Sequence, residues 1–334
     1  MDIAVVINLR SRGGSAAVAD KCQAELPQAQ ILTSRSIEEL GHFTRGLSAG
    51  RSSLMLSAGG DGTAIALLNT MRHLPASAGE PMNLGVLPLG TGNGWAHATG
   101  APPWRIAVEQ LGRAARADAP LPLRRFDLLE VGGMLTHFAG TGWDAQIIED
   151  FHRQKTGLGI LPRSMREGLA GYLQGLITRT IPRTLLGRSP VIELTNTGDD
   201  ALGIDDAGRP YPLPGGEHGK VLYRGPASIC AAGTSPNWGF KFRAFPFAGL
   251  VPGRFNLRIY SGSSTEATLH ARPLWRGDHP IPKMQSWLLT GARVTYDRPV
   301  PFQAGGDRLG FAQEIVYRIA SEQVDLVDWP RMAA

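Results

Sequence analysis

The sequence predicts an α/β protein in which an N-terminal parallel-sheet domain is followed by a β-rich antiparallel sandwich domain. In the first third of the chain, short apolar runs alternate with helix-like windows, the pattern of a parallel sheet covered on both faces. After Pro122 the segments become short and often alternating, with turn residues between them, which is typical of antiparallel sheets. Two glycine-rich loops directly follow predicted strands of the first part, and parallel sheets bind ligands at the carboxyl ends of their strands.

We place the first domain at residues 1–122. Its predicted elements are the strand Ile3–Ile7, the helix Ala16–Leu26, the strand Ile31–Thr33, the helix Ile37–Leu47, the strand Ser53–Ser57, the helix Ala64–His73 and the strand Leu84–Leu87.

The second domain is placed at residues 123–317. Its predicted strands are Phe126–Val131, Met134–Ala139, Val191–Leu194, Ala227–Ala232, Arg254–Tyr260 and Arg293–Asp297, with one helix at roughly Ser164–Ile181. The last segment, about 318–334, is free to return to either domain.

Composition excludes several classes of protein. The 334 residues are 43% hydrophobic and 19% charged, enough for two domains of roughly 150 residues each. The two cysteines, Cys22 and Cys230, lie far apart, so we expect neither a disulfide framework nor a zinc site. No leader and no apolar stretch of about 18 residues is present, which predicts a soluble, cytoplasmic protein.

The net charge of +5 favours anionic partners. The basic residues are dispersed, with no Lys/Arg-rich tail, and we therefore expect no nucleic-acid partner. Oligomeric state is not readable from these patterns, and a homodimer stays open.

The first chemical motif is Ser57-Ala-Gly-Gly-Asp-Gly-Thr63, between a predicted strand and a predicted helix. Its glycines let the backbone approach a ligand closely, and the helix start after them suits phosphate. Asp61 offers a carboxylate to a metal or a hydroxyl group, and Thr63 offers a hydroxyl. The alternative is a bare structural turn.

A second loop, Leu87-Pro-Leu-Gly-Thr-Gly-Asn93, follows the next strand. It fits a dinucleotide fingerprint poorly, because it does not follow the first strand and no acidic residue stands about 20 positions further on. A Walker loop is excluded, since no Gly-Lys-Ser/Thr is present. Two such loops at neighbouring strand ends favour a cradle for nucleotide phosphates.

Together, Gly59–Thr63, Asn69 and Leu87–Asn93 resemble the diacylglycerol kinase catalytic family, which includes sphingosine kinases and bacterial soluble lipid kinases. The glycine–aspartate turn alone is shared with NAD kinases and phosphofructokinases, but the Leu-Pro-x-Gly-Thr-x-Asn element points to lipid kinases. The resemblance implies an ATP-binding domain like that of NAD kinases and diacylglycerol kinases, then a lipid-substrate domain. It also implies ATP as phosphate donor and Mg²⁺ as cofactor.

Weaker matches extend the resemblance. Asn8 with Ser11 and the pair Gly13–Gly14 resembles the family's first loop, and Thr33 falls at a nucleotide-contacting position. Asp127, Gly142–Ala145 and Pro246–Ala248 resemble segments of the second domain. The implied ATP-binding residues are Asn8, Thr33, Gly59, Gly60, Asp61, Gly62, Thr63, Gly90, Thr91 and Asn93, and the implied metal ligands are Asp61 and Asp127.

The family's catalytic base is a glutamate in an Asp-Gly-Glu turn near the C-terminus. The matching stretch is Gln303-Ala-Gly-Gly-Asp307, which makes Asp307 the implied base and puts Gly305 in place of the family's aspartate. Gly94 and Pro252 also stand where relatives carry acids. The resemblance therefore implies a thinner acidic network without the structural metal of bacterial members.

These matches predict a lipid kinase with its active site in a cleft between the domains. Asp61 would position magnesium or the acceptor hydroxyl, and Asp307 would take the hydroxyl proton. The alternatives are an NAD kinase-like small-molecule kinase and a catalytically weak protein that binds a nucleotide or a lipid.

Two further stretches bear on how a lipid would be reached. Arg163–Arg188 interleaves arginines with apolar residues; it predicts either transient, peripheral contact with an anionic membrane or a solvated helix face. In the second stretch, aromatic residues alternate with other residues around Lys241 and Arg243. The aromatic residues are Trp238, Phe240, Phe242, Phe245 and Phe247. Alternation predicts a half-buried strand, and the wall of a lipid pocket is the alternative.

Overall fold

The computed structural model describes residues 2–46, 54–72, 82–142, 145–146, 188–239 and 241–332. The chain divides into two compact units, Met1–Phe126 with Ser321–Ala334, and Asp127–Ala320. The predicted helix at Ser164–Ile181, the basic stretch before Arg188, and the residues Trp143, Asp144 and Phe240 lie outside the described residues.

The first unit is built on a parallel sheet. Its strands are β1 (Ile3–Asn8), β2 (Gln30–Ser34), β3 (Leu54–Gly59) and β4 (Met82–Pro88), joined by the end of β16 (Asp307–Val327). They lie in the order β2-β1-β3-β4-β16, and every neighbouring pair in this unit is parallel. The central strands β1 and β3 are buried along nearly their whole length, as expected where helices cover both faces.

Helices of this unit connect and cover the strands. They are α1 (Ala16–Glu25), α2 (Ile37–Gly46), α3 (Asp61–Met71), α4 (Gly94–Ala98), α5 (Trp104–Arg116) and, at the end of the chain, α8 (Trp329–Met332). In α5, Ala107, Val108 and Leu111 recur at helical spacing and are buried, so this face packs into the core with α1 and the strands. Trp329 of α8 completes the same core.

The second unit is antiparallel. Its strands are β5 (Leu123–Val131), β6 (Met134–Thr136), β7 (Phe138–Gly142), β8 (Val191–Asn196), β9 (Leu202–Ile204), β10 (Pro210–Pro212), β11 (Val221–Pro226), β12 (Ile229–Gly233), β13 (Phe255–Tyr260), β14 (Met284–Leu289), β15 (Gly291–Ala304) and the first part of β16. Two short helices, α6 (Ser264–Leu269) and α7 (Ala271–Arg276), stand between β13 and β14.

One core is shared by two branches of these strands. The first half of β15 pairs with β8, and its last residues pair with β7, which continues through β12, β13 and β14. Side chains from both branches, such as Leu194 and Leu257, belong to one buried cluster. This arrangement and the parallel sheet of the first unit confirm the predicted fold class.

Three local predictions are corrected. Strand β3 continues to Gly59, and α3 begins at Asp61 rather than at Ala64. The predicted strand Met134–Ala139 is divided into β6 and β7.

No described helix is long and apolar enough to cross a membrane.

The aromatic stretch 236–250 does not form the predicted strand. Its described residues form turns, with a single bridge between Gly239 and Phe242. Lys241 lies in the left-handed region with φ of 63°, so the backbone reverses there. The segment packs on β13, where buried Arg258 donates from Nη1 to the carbonyl oxygen of Ala244. Alternation therefore arises here from a folded loop covering a sheet.

Candidate functional site

The candidate site lies at the carboxyl edge of the parallel sheet in the first unit. The neighbouring strands β1, β3 and β4 end at Asn8, Gly59 and Pro88. Because the strands are parallel, the loops after them meet at one edge, the usual ligand site of such sheets. The structure thus brings the two predicted glycine loops together.

The two glycine loops touch backbone to backbone. A Cβ atom added to Gly90 would lie 2.2 Å from the Cα atom of Gly60, a contact that side chains cannot make. The amide of Leu89 also donates to the carbonyl oxygen of Gly59 at 3.1 Å. Glycine is required at this crossing because only a residue without Cβ allows the approach.

Asp61 fastens the second loop to the first. It is the first residue of α3 and is only 8% exposed. Its Oδ2 accepts the amide of Gly94 at 2.8 Å, and its Oδ1 accepts the amide of Trp95 at 3.1 Å. The carboxylate therefore satisfies amides at the start of α4, where a negative charge is favourable.

The start of α3 carries the features of an anion site. Its N-cap is Gly60, so no side chain caps the first turn. Gly62 follows as the second helical residue, and the hydroxyl of Thr63 accepts a hydrogen bond from Nδ2 of Asn8 at 2.8 Å. A helix of this length with an uncapped first turn presents amides and the positive end of its dipole to a phosphate.

Asn93 shapes the second loop. Its backbone is left-handed, with φ of 53°. Its side chain closes onto Gly90, accepting from the amide at 2.9 Å and donating to the carbonyl oxygen at 3.0 Å. Thr91 lies inside the turn that this amide closes and is half-buried. Asn93 thus fixes the backbone of the loop around Thr91.

The loop after β1 joins the same edge. The amide of Gly13 donates to the carbonyl oxygen of Leu89 at 3.0 Å, and a Cβ at Gly13 would press on Leu89. Gly13 therefore contacts the second glycine loop directly, a role that the prediction of individual binding residues missed. The signal available in the sequence is the glycine pair that follows Asn8.

Thr33 lies on the neighbouring edge strand. In the β1–β2 pairing it stands opposite Ile7, while Ser34 stands opposite Asn8. Thr33 is exposed, so its hydroxyl is accessible beside the end of β1.

The described residues at this edge could hold Mg²⁺ only together with oxygen ligands from a bound phosphate or from water. The described residues contain no group of three or more His, Cys, Asp or Glu side chains that could hold a metal. Mg²⁺ commonly binds one or two carboxylates together with substrate phosphates and water. Asp61 is a single carboxylate at the uncapped start of α3, so it could hold the ion only together with phosphate and water.

Asp127, the other predicted metal ligand, belongs to the second unit. Its Oδ2 accepts the amide of Gly253 at 2.7 Å, directly after Pro252. At Asp127, a backbone donor faces the carboxylate.

Asp307 opens β16 at the tip of the β15–β16 hairpin. The two turn residues, Gly305 and Gly306, have φ of 58° and 88°, the conformation that two-residue hairpins require. The amide of Gly306 donates to Oε1 of buried Gln303 at 3.1 Å, which holds the turn in place. Although Asp307 is exposed as a residue, the protein around its carboxyl desolvates the charge and raises its pKa above the usual value.

Comparison with known sequences finds similarity in the first unit. Residues 2–120 match the sequence model of the diacylglycerol kinase catalytic domain. A "Probable lipid kinase YegS-like" from Pseudomonas fluorescens is 39% identical over 103 residues. That match spans 30% of this chain and 30% of the relative. The predicted resemblance to this family is confirmed for the N-terminal part of the chain.

Comparison with solved structures extends the likeness in fold to nearly the whole chain. A diacylglycerol kinase structure from Bacillus anthracis has a TM-score of 0.64 at 12% identity, covering 98% of this chain and 96% of that one. A second structure from the same organism has a TM-score of 0.65 at 14% identity, covering 98% and 97%. Both units therefore share the fold of these proteins.

Proposed function

Because residues 2–120 match the diacylglycerol kinase catalytic domain, we propose that this protein is a lipid kinase that transfers the γ-phosphate of ATP to a lipid hydroxyl. One observation carries the proposal: two glycine loops in backbone contact beside the uncapped start of α3. That arrangement suits a chain of phosphates, which needs close backbone approach and amide donors.

In this proposal the first unit holds ATP. Gly60 and Gly62, at the start of α3, would turn backbone amides toward the phosphates. The missing Cβ of Gly59 makes room for Thr63, whose hydroxyl pairs with Asn8 at the same edge. The other side of the proposed phosphate site consists of Gly90, Thr91 and Asn93. Thr33 contributes a hydroxyl from the edge strand. Positioning of phosphates is the main task of such a site, because phosphoryl transfer depends chiefly on orientation and electrostatic stabilisation.

Asp61 is the proposed partner of Mg²⁺. When bound, the ion neutralises charge that develops on the phosphates. The carboxylate is already oriented by the amides of Gly94 and Trp95.

Asp307 is the proposed general base. The lipid O–H proton moves to its carboxylate, the lipid oxygen bonds to the γ-phosphorus, and the bond from that phosphorus to ADP breaks. A base works best with a pKa raised toward the working pH, and the protein around the carboxyl of Asp307 desolvates its charge and raises its pKa. The acceptor would be diacylglycerol or a sphingoid base, each of which presents a hydroxyl beside apolar chains.

The testing experiment is transfer of labelled phosphate from Mg-ATP to candidate lipids in mixed micelles, with NAD as a parallel acceptor. Labelling of one lipid class, lost in Asp61→Ala, supports the proposal and names the substrate. Transfer to NAD alone would contradict it.

A second candidate, a protein that binds nucleotide or lipid with little turnover, is favoured by one observation. The hairpin beside Asp307 consists of glycines, so no second carboxylate stands in the turn. ATP binding without transfer to any acceptor would favour this candidate.

A further inference from the structure

A row of stacked aromatic rings in the second unit runs from its interior to its surface. Phe245, which is 0% exposed, stacks on Trp238 with ring centroids 6.0 Å apart. Trp238 stacks on Phe242 at 5.8 Å, and Phe242 stacks on Trp275 of α7 at 5.4 Å. The interplanar angles are 21°, 16° and 26°, so the rings form one near-parallel column.

The outer end of this column is apolar and open to solvent. Trp275 is 41% exposed, and Leu269, at the end of α6, is 78% exposed. Leu269 directly precedes the N-cap of α7. A single exposed apolar side chain needs no explanation, but an exposed tryptophan supported by a buried column is held at the surface by the fold.

Basic residues adjoin this end in the chain: Lys241 and Arg243 flank Phe242, and Arg272 precedes Trp275 by three residues in α7. Lys241, Arg243 and Arg272 are all exposed, and the amide of Arg243 donates to the carbonyl oxygen of Trp275 at 3.0 Å. Within the described part of the chain, none of the three forms an ion pair.

The acids near this end already have cationic partners. Asp278 pairs with Arg276, and Glu266 pairs with Lys283. The local field around Trp275 is therefore positive and without compensating charge from these acids.

We propose that this surface, which we call the aromatic ridge (Phe242, Leu269 and Trp275 with Lys241, Arg243 and Arg272), docks the protein on an anionic phospholipid bilayer. Tryptophan prefers the membrane interface because its ring is apolar and its N–H is polar. Arginine and lysine beside it reach lipid phosphates while their stems lie on apolar surface. This inference rests on the proposed lipid kinase function, because a lipid kinase must reach its substrate in a membrane. The binding test itself needs neither ATP nor a lipid acceptor.

The combination of features selects a bilayer over an acidic protein. An acidic peptide would satisfy the three basic groups, but it offers no apolar layer for Leu269 and Trp275. An anionic bilayer supplies both, with phosphates outside and acyl chains beneath. Stacking on Phe242 also supports the ring of Trp275 at the surface.

The experiment is sedimentation of the full chain with vesicles of phosphatidylcholine alone, or of phosphatidylcholine and phosphatidylglycerol in equal parts, without ATP or acceptor. We expect binding to the anionic vesicles, weaker binding to the neutral ones, and loss of the difference at high salt. Leu269→Ser and Trp275→Ser should each weaken binding roughly tenfold, because one apolar anchor is removed.

Matched controls separate the ridge from general surface effects. Ile37→Ser and Tyr211→Ser change side chains of comparable exposure, 70% and 40%, and should leave binding unchanged. Lys241→Glu should weaken binding roughly tenfold or more. Arg293→Glu changes the net charge equally at an exposed position of β15 and should have a much smaller effect.

Several outcomes would overturn the proposal. One is a wild-type chain that does not bind anionic vesicles. Another is a set of ridge variants that bind as strongly as their control variants, which would show that docking uses another surface. Self-association through the ridge, seen as dimers lost in Leu269→Ser, would also overturn it. Circular dichroism of each variant checks the fold, and Leu269→Ser guards against unfolding because that side chain is mostly in solvent.

Failure of this inference and failure of the proposed function can be told apart. If only docking is wrong, ridge variants phosphorylate lipid on anionic vesicles as well as wild type does. If only the kinase function is wrong, vesicle binding persists and no acceptor is labelled.

Discussion

The carboxylate of Asp61 accepts the amides of Gly94 and Trp95, so the start of α4 depends on a residue of α3. A carboxylate between two helix starts is favourable for both, since each presents amides and a positive dipole end. In the proposed function the same charge would also attract a metal ion carried by the phosphates. At this residue, structure and the proposed chemistry are coupled, and a test must separate them.

We expect Asp61→Asn to lower turnover by about 10²–10³-fold, because an amide removes the negative charge that faces magnesium in the proposed function. It should also lower the free energy of unfolding by about 1–3 kcal/mol, because the amide NH₂ cannot accept one of the two backbone amides. Kinetics and urea denaturation of the same sample measure both effects. Loss of stability with full activity would contradict the metal role.

Asp307→Asn should lower turnover by about 10²–10⁴-fold, because an amide cannot take the hydroxyl proton. Asp307→Glu, which keeps a carboxyl group, is the matched control and should retain most of the activity. Near-normal activity in Asp307→Asn would exclude Asp307 as the base.

The pH dependence gives Asp307 a second test. Because desolvation by the surrounding protein raises its pKa, the base becomes protonated at a higher pH than an ordinary aspartate. Activity should therefore fall at a higher pH on the acid side. The charged form is disfavoured in the folded state, so the cost to folding is present above the pKa of the unfolded chain and disappears below it. Asp307→Asn should therefore unfold at neutral pH no more easily than wild type does, which thermal melting measures.

At the scale of elements, the crossing of the two glycine loops decides the shape of the candidate site. Gly60 and Gly90 stand 30 positions apart in the sequence, yet a Cβ at Gly90 would meet the Cα of Gly60 at 2.2 Å. Backbone atoms cannot swing aside as a flexible side chain can. Any side chain at Gly90 must therefore separate β3–α3 from β4–α4.

We expect Gly90→Ala to weaken ATP binding at least tenfold and to cost about 1–3 kcal/mol of stability through overpacking. Gly46→Ala is the matched control, because a Cβ there meets nothing within 4 Å. Isothermal titration with Mg-ATP and urea denaturation check the two expectations. Equal ATP affinity in both variants would show that the crossing does not shape the nucleotide site.

At the scale of the whole molecule, the C-terminal segment of the chain belongs to the same compact unit as the N-terminal residues. After β15 and most of β16, residues from Ser321 onward rejoin the first unit, where Val324–Leu326 pair in parallel with β4. Trp329 then fills the core beside residues of α1 and α5, with 1% exposure. The first unit is therefore incomplete without the end of the chain.

Trp329→Ala should destabilise the first unit by about 3–5 kcal/mol, since a large buried ring leaves a cavity. Hydrogen exchange of amides in β1 and β3 measures the loss locally. The matched control is Arg331→Ala, an exposed residue of the same short helix, which should change exchange little. Unchanged protection in Trp329→Ala would show that the C-terminal segment is dispensable for this core.

Sequence reasoning located the buried strands well and their ends poorly. The continuous apolar run of β1 is recognisable because a central parallel strand is buried on both faces. The start of α3 was placed at Ala64, because Gly60-Asp61-Gly62 has the local composition of a turn. In the folded protein the helix begins at Asp61, where the carboxylate gains amide partners that are distant in sequence.

In the aromatic stretch, the sequence pattern predicts a regular element that the structure does not contain. Alternation from Trp238 to Phe247 predicted a strand, because a period of two is the usual sign of one. The rings instead stack on each other across turns and reach α7. A pattern of side chains does not state which neighbours they will meet.

By itself, the sequence determined the α/β order and the two glycine loops, because these depend on local composition and on motifs with fixed spacing. The roles of Asp61 and Asp307 stay predictions that the family resemblance implies. Only the tertiary structure decided that Gly60 meets Gly90, that Asp61 holds the start of α4, that Gly13 joins the same edge, and that Trp275 ends an aromatic column. The physical reason is that close contacts between residues distant in the chain follow from strand order and packing, which no single segment encodes.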